Sequence, residues 1–343
     1  MRGKVKHIAI YLLLCYNIRV KKRKDRSTVD IINYKYGDKI EYKPLAVALG
    51  LFDGVHRGHR RLIELTRKKA RERGLACAVF TFNEGGGLKS QSPRLYTQEQ
   101  RLELFSSLGV DLVILCDFPS VRDKSAEDFI GEVLIDGFNC QVALSGYNFR
   151  FGKGATGNAD LLCDIFKKAG RDAFILDEQK YNGMTLSTTE VRAALKEGDT
   201  MRAADMLGLP YFIEGEVERG LGLGHKLGFP TINTALAENC PLQTGVYKTV
   251  VPIGGKLYTG LCNVGICPTF GAREIHAETM LLDFSGDLYG ERLSIYFLNR
   301  IRGERTFDGA VSLNEQIAKD RATALVTDDE KYIEMIKIKE NIE

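Results

Sequence analysis

LAVALGLFDGVHRGHRRLIELTRKKARERGLACAVFTF, residues 45–82, reads as a strand, a glycine-rich turn, an amphipathic helix and a second strand. The two strands, LAVALGLF and ACAVFTF, are continuous apolar runs, as a parallel sheet covered on both faces requires. Between them His59–Arg73 carries the helical pattern, and Gly74 supplies its stop. The same grammar recurs downstream. Helical stretches at Gln98–Leu108, Ala126–Ile135 and Leu161–Ala169 alternate with the runs DLVILCDF, QVALSG and DAFILD. Repeated βα units predict a doubly wound α/β domain over residues 41–208.

After Gly208 the pattern changes. The runs YFIEGEV, GVYKTVVPI, KLYTGLCNVG, AETMLLDF and RLSIYFL follow one another without helices between them. Gly254-Gly255 between two of them is a hairpin signal. A small antiparallel β-barrel is predicted over residues 209–335, closed by a helix near Leu313–Leu325. Residues 1–40 read as a poorly specified basic extension. Its apolar run Ile8–Ile18 is shorter than the roughly 20 residues that span a bilayer, so no stable membrane insertion is expected. It also lacks the small-residue cleavage site of a signal peptide.

The formal charge of the 343 residues is +3, but residues 1–26 hold nine Lys and Arg against one acid, leaving the remainder net acidic. That excludes a general nucleic-acid-binding surface, which needs a basic field. The eight cysteines, from Cys15 to Cys267, form no C-x-x-C pair and sit mostly in apolar runs. They read as reduced thiols of a cytoplasmic protein rather than zinc ligands. Oligomeric state is not encoded in any feature of the sequence.

Chemistry concentrates in a few segments. Gly50-Leu51-Phe52-Asp53-Gly54-Val55-His56-Arg57-Gly58-His59 joins a strand end to a helix start, where N–H groups and the helix dipole favour phosphate. His56 and His59 are three residues apart, so both imidazoles fall on one side and can stabilise charge on a transferring phosphorus group. Ser145-Gly146-Tyr147-Asn148-Phe149-Arg150-Phe151-Gly152 and Ser187-Thr188-Thr189-Glu190-Val191-Arg192 fall where such a sheet opens its ligand crevice. The hydroxyls of the latter serve either as helix caps or as donors to a triphosphate.

In the second domain Gly220-Leu-Gly-Leu-Gly224 precedes Leu227-Gly228-Phe229-Pro230-Thr231-Ile232-Asn233. Thr231 and Asn233 are two apart on an extended segment, so a hydroxyl and an amide oxygen face the same way and suit Mg²⁺ carried with nucleotide phosphates. Alternation puts Glu278 on one face with Met280, Leu282 and Phe284. Burial there would raise its pKa and make it a general base for a hydroxyl nucleophile.

GLFDGVHRGH, SGYNFRFG and STTEVR, in this order and spacing, resemble the FMN adenylyltransferase module of bacterial bifunctional riboflavin kinase/FAD synthetases. LGFPTIN, NVGICPTF, AETMLLDFSGDLYG and IRGERTF resemble the riboflavin kinase module of the same family. The resemblance implies a Rossmann-like nucleotidyltransferase domain followed by a six-stranded kinase barrel. It implies ATP, riboflavin and FMN as substrates, with Mg²⁺. At the first site it implies catalytic His56 and His59, and ATP contacts from Gly50, Phe52, Asp53, Gly58, Asn148, Ser187, Thr188, Thr189 and Arg192. At the second it implies Glu278 as base, Thr231 and Asn233 as Mg²⁺–nucleotide ligands, and ATP or flavin contacts from Gly222, Gly224 and Arg302. Departures are the segment Asn83-Glu84-Gly85-Gly86-Gly87, where the family carries a Pro-His-Pro-like stretch, Met280 in place of a common His, and His225-Lys226 in place of Gly-Arg. The first of these motivates an alternative: a riboflavin kinase whose N-terminal domain has lost or altered adenylyltransferase activity.

Overall fold

The structure, a computed structural model, describes residues 29–83, 94–218, 231–236, 240–266 and 275–342. Gly222, Gly224, Glu84 and the extension up to residue 26 lie outside the described residues. Two compact units are present. The first runs to Leu186; the second takes in Arg94, Leu95 and everything from Ser187.

The first unit is built on a six-stranded parallel sheet: β1 (Asp30–Tyr34), β2 (Leu45–Leu49), β3 (Ala76–Phe82), β4 (Leu112–Cys116), β5 (Cys140–Gly146) and β6 (Asp172–Leu176). Their order is β1-β4-β3-β2-β5-β6. Every residue of β2 and β4 is buried, which is why these strands read as unbroken apolar runs. The connecting helices are α1 (Arg57–Arg73), α2 (Gln98–Ser107), α3 (Phe129–Gly137, wound as a π-helix) and α4 (Ala159–Lys168). From β2 the chain winds outward through β3 to β4, then returns to lay β5 along the other side of β2. The strand order therefore reverses between β2 and β5, and a crevice opens beyond their carboxyl ends.

Strand β1 lies within residues 1–40, which the sequence reads as a poorly specified basic extension. Asp30–Tyr34 pairs in parallel with β4 at the sheet edge, burying Ile31 and Tyr34. The sequence hides it because DIINY is short and carries two polar residues. Its partner also lies far along the chain, so no local pairing signal exists.

In the second unit α5 (Thr188–Glu197) and α6 (Thr200–Leu207) come first. Both helices precede residue 209, where the sequence reading starts this domain, yet they cluster with the second unit. The six antiparallel strands are β9 (Phe212–Glu216), β10 (Thr231–Ala235), β11 (Gly245–Ile253), β12 (Lys256–Ile266), β13 (Ile275–Leu281) and β14 (Arg292–Arg302), in the order β10-β13-β12-β11-β14-β9. (A two-residue pair, β7 with β8, lies at Lys180–Tyr181 and Met184–Thr185 of the first unit.) The sheet curls until its ends meet: Glu218 bridges Asn233, with the Glu218 N–H donating to the Asn233 carbonyl at 2.9 Å. Gly254 and Gly255 turn the β11–β12 hairpin with φ of 58° and 82°, the two positive values of a type I′ turn.

Helix α7 (Ala310–Val326) packs Ala324 against Leu261, Met280 and Leu282 on the outside of the curled sheet. A further helix, α8 (Glu330–Glu340), continues past the expected end at 335. Tyr332, Ile336 and Lys339 are its buried positions, one face of the helix, and buried charges add to its hold. Asp329 at its start holds the buried Lys248 ammonium at 2.6 Å, and Lys339 lies over the rings of Phe212 and Tyr296. No helix among the described residues is long and apolar enough to cross a membrane.

Candidate functional site

In the first unit the loop after β2 carries the histidine motif at the reversal of strand order, with the end of β5 beside it through the Leu49–Ser145 register. His56 caps α1: its Nδ1 accepts the His59 N–H at 3.3 Å. The two imidazoles stack with ring centroids 3.8 Å apart, and Phe52 tilts against His59. Burial, reinforced by Arg60, pushes His56 down to about 4. Burial and then His56 hold His59 well below the usual histidine range. Both rings are neutral near pH 7. Because Nδ1 of His56 accepts, its proton sits on Nε2, a hydrogen-bond donor for an incoming phosphate oxygen. The buried His59 Nδ1 has no partner among the described residues.

Backbone strain accompanies this pair. Phe52 and Val55, both buried, adopt φ of 50° and 43°, a region costly for bulky and β-branched side chains and typical of functional loops. Two glycines of the motif lie close against its rings. A Cβ on Gly58 would press on the His56 ring, and one on Gly50 would press on Phe52. They make room for the site's own rings.

One residue of this site escapes sequence reasoning. Arg101 on α2 is buried, and its Nη1 donates to the Leu51 carbonyl at 3.3 Å and to Thr81 Oγ1 at 3.4 Å. Thr81 donates in turn to Leu51 at 2.9 Å. The strained loop is thereby tied to β3 from behind. Asp53 is buried in the same loop, and Asn148 is exposed just past β5, its Oδ1 close to Gly146. Ser187, Thr188, Thr189 and Arg192 belong to the second unit. Ser187 caps α5 by accepting the Glu190 N–H at 3.2 Å, so its hydroxyl acts as a helix cap.

In the second unit a polar row crosses the outer face of the curled sheet. Glu278 on β13 stands directly opposite Asn233 on β10 and Asn263 on β12. Thr231 Oγ1 donates to Glu278 Oε1 at 3.1 Å. Thr231, Asn233 and Glu278 are therefore brought together on one face. The expected burial of Glu278 is not found. Its side chain is exposed, whereas Met280 and Leu282 on the same face are covered. The apolar patch under α7 ends before Glu278, and the rest of the face is polar.

Arg302 is joined to α7. Its Nε and Nη2 grip Asp320 of α7 at 2.9 Å, with both groups largely buried, and its Nη1 donates to the Gly303 carbonyl. This ion pair anchors β14 to α7. Among the described residues no group of three or more His, Cys, Asp or Glu is arranged to hold a metal. The Thr231 hydroxyl and Asn233 amide offer hard oxygen donors that fit Mg²⁺ arriving with nucleotide phosphates, which would fill most of its coordination.

Comparison with known proteins bears on both units. The FAD synthetase family model matches residues 38–190 and the riboflavin kinase family model residues 207–327. Curated relatives include bifunctional riboflavin kinase/FMN adenylyltransferases of Bacillus subtilis and Escherichia coli. The first is 34% identical, covering 87% of this chain and 97% of its own. The second is 33% identical, covering 81% and 91%. A solved Streptococcus pneumoniae structure, described as a macrolide-efflux protein, superposes with TM-score 0.77 at 27% identity, over 87% of this chain and 99% of its own.

Proposed function

The chain belongs to the bifunctional riboflavin kinase/FMN adenylyltransferase family, and from that premise we propose how its residues divide the two reactions. As a member it phosphorylates riboflavin with ATP to FMN and adenylylates FMN with ATP to FAD.

The kinase reaction belongs to the outer face of the second unit. Glu278 takes the proton of the riboflavin 5′-hydroxyl as that oxygen bonds to the γ-phosphorus of ATP and the bond to the ADP oxygen breaks. Thr231, hydrogen-bonded to Glu278, orients the carboxylate. Thr231 and Asn233 would hold Mg²⁺, whose chemistry here is to neutralise phosphate charge during transfer. The observation that carries this assignment is the register that sets Asn233 and Thr231 beside Glu278 on one face.

The adenylylation belongs to the first unit. A phosphate oxygen of FMN attacks the α-phosphorus of ATP and pyrophosphate leaves, so no protein base is needed. Neutral His56 and His59 donate hydrogen bonds to charge developing on the phosphates. Gly50, Phe52, Asp53 and Gly58 shape the loop that presents them. Asn148 at the end of β5 is assigned to the same substrate crevice. Thr188, Thr189 and Arg192 are assigned to ATP as residues of α5.

We further place the protein in the cytoplasm. Its described cysteines are free, and burial pushes the thiols of Cys77, Cys140 and Cys262 up to about 12, as suits unreactive core residues. Purified protein with riboflavin, ATP and Mg²⁺, followed by chromatography of the flavins, tests the whole. FAD is the expected product; FMN alone would remove the adenylyltransferase, and neither would remove both.

A further inference from the structure

The outer face of β12 and β13 carries a second carboxylate that no step above uses. Gly265 lies two residues beyond Asn263 on β12, so both face outward on the side of Glu278. A Cβ on Gly265 would overlap the Glu304 carboxylate and would lie 3.5 Å from the Asn263 Nδ2. The absent side chain is what lets Glu304 rest against the strand. Glu304 comes from the segment after β14, and that segment is pinned at its base. Arg302 grips the buried Asp320 and the Gly303 carbonyl, and its guanidinium stacks over Phe307 at 5.6 Å. Yet Glu304 itself is exposed and makes no hydrogen bond or ion pair with any described residue. The buried His276 stands across from Gly265 in register.

A carboxylate held in place by a dedicated glycine and a buried ion pair, and without a hydrogen bond or ion pair to any described residue, is arranged to accept hydrogen bonds from outside the protein. The row runs from Glu278, through Asn263 opposite it, to Glu304 over Gly265. Resting on the kinase assignment of this face, we propose that Glu304 and Asn263 bind the secondary hydroxyls of the substrate's polyol side chain and so aim its terminal hydroxyl at Glu278. A polyol presents donors at successive carbons, and a carboxylate followed by an amide meets them with charge-assisted and neutral hydrogen bonds. Glu304 is then a substrate-positioning residue, and Gly265 and Arg302 act through it.

Steady-state kinetics of FMN formation by the full chain test this. Glu304→Ala raises the KM for riboflavin about tenfold or more while the KM for ATP stays within about twofold, as loss of a charged hydrogen bond confined to one substrate requires. Gly265→Ala, which displaces the carboxylate but keeps it, gives the same split, and the double variant is no worse than either single one. A riboflavin analogue that keeps the terminal hydroxyl but lacks the secondary ones is disfavoured by wild type and no longer disfavoured by Glu304→Ala. FAD formation from supplied FMN reports that each variant is folded. An unchanged riboflavin KM in both variants, or an equal rise for ATP, overturns the proposal. Glu278→Gln separates the levels: if it still makes FMN, the kinase assignment itself has failed. If it is inactive while Glu304→Ala keeps its riboflavin KM and its preference, only the polyol contact has.

Discussion

His56 is neutral because it is buried, and that neutrality has a cost in acid. Its pKa falls from the ordinary 6.5 to about 4 in the folded chain, so between those values the unfolded state binds more protons and stability rises with pH. Acid therefore destabilises the first unit progressively as pH drops from 6.5 toward 4, by up to about 3 kcal/mol from this residue alone. Denaturant titration of wild type and His56→Gln over that range checks it; equal pH slopes would exclude the effect. Arg101 gives a second expectation. Arg101→Met removes the donor to Leu51 and Thr81, freeing the strained loop, and FAD formation should fall at least tenfold while FMN formation persists. The histidine pair is legible in the sequence because its three-residue spacing survives into the fold. Arg101 is not, because QEQRLELF reads as an ordinary solvated helix and only tertiary docking decides which face is buried. For Glu278 the alternation gives the right face, yet the edge of the α7 patch, set by packing, decides its exposure.

Among the elements, α8 shows how buried charge acts beside hydrophobic contact. Lys248 and Asp329 are both almost fully buried and 2.6 Å apart, so removing one partner strands the other. Asp329→Ala should cost about 3–5 kcal/mol, and Lys248→Met should restore much of that loss in the double variant. Thermal denaturation of the set reads this directly, and additive single losses would show that the pair is not coupled. Asp205 adds a further tie, accepting from Lys331 and from the Tyr332 hydroxyl at 3.1 Å. The interior strands β2 to β5 are legible because burial on both faces writes them as continuous apolar runs. β1 at the edge is held by a partner far along the chain, which leaves no periodic trace.

At the scale of the whole molecule, the two proposed catalytic faces predict separable losses. Glu278→Gln should abolish FMN formation from riboflavin and leave FAD formation from supplied FMN. His59→Ala should show the reverse pattern, with FMN accumulating in a riboflavin assay. Loss of both products in either folded variant would show that the sites are not independent. The kinase unit carries one more consequence in its seam. In the proposed assignment Asn233 offers its side chain to the nucleotide, while its carbonyl accepts the Glu218 N–H that joins the sheet's two ends. Occupying the site and fastening the seam thus share a residue, so nucleotide should slow hydrogen exchange at the Glu218 amide. That single proton becomes a gauge of how full the kinase site is, readable without any turnover.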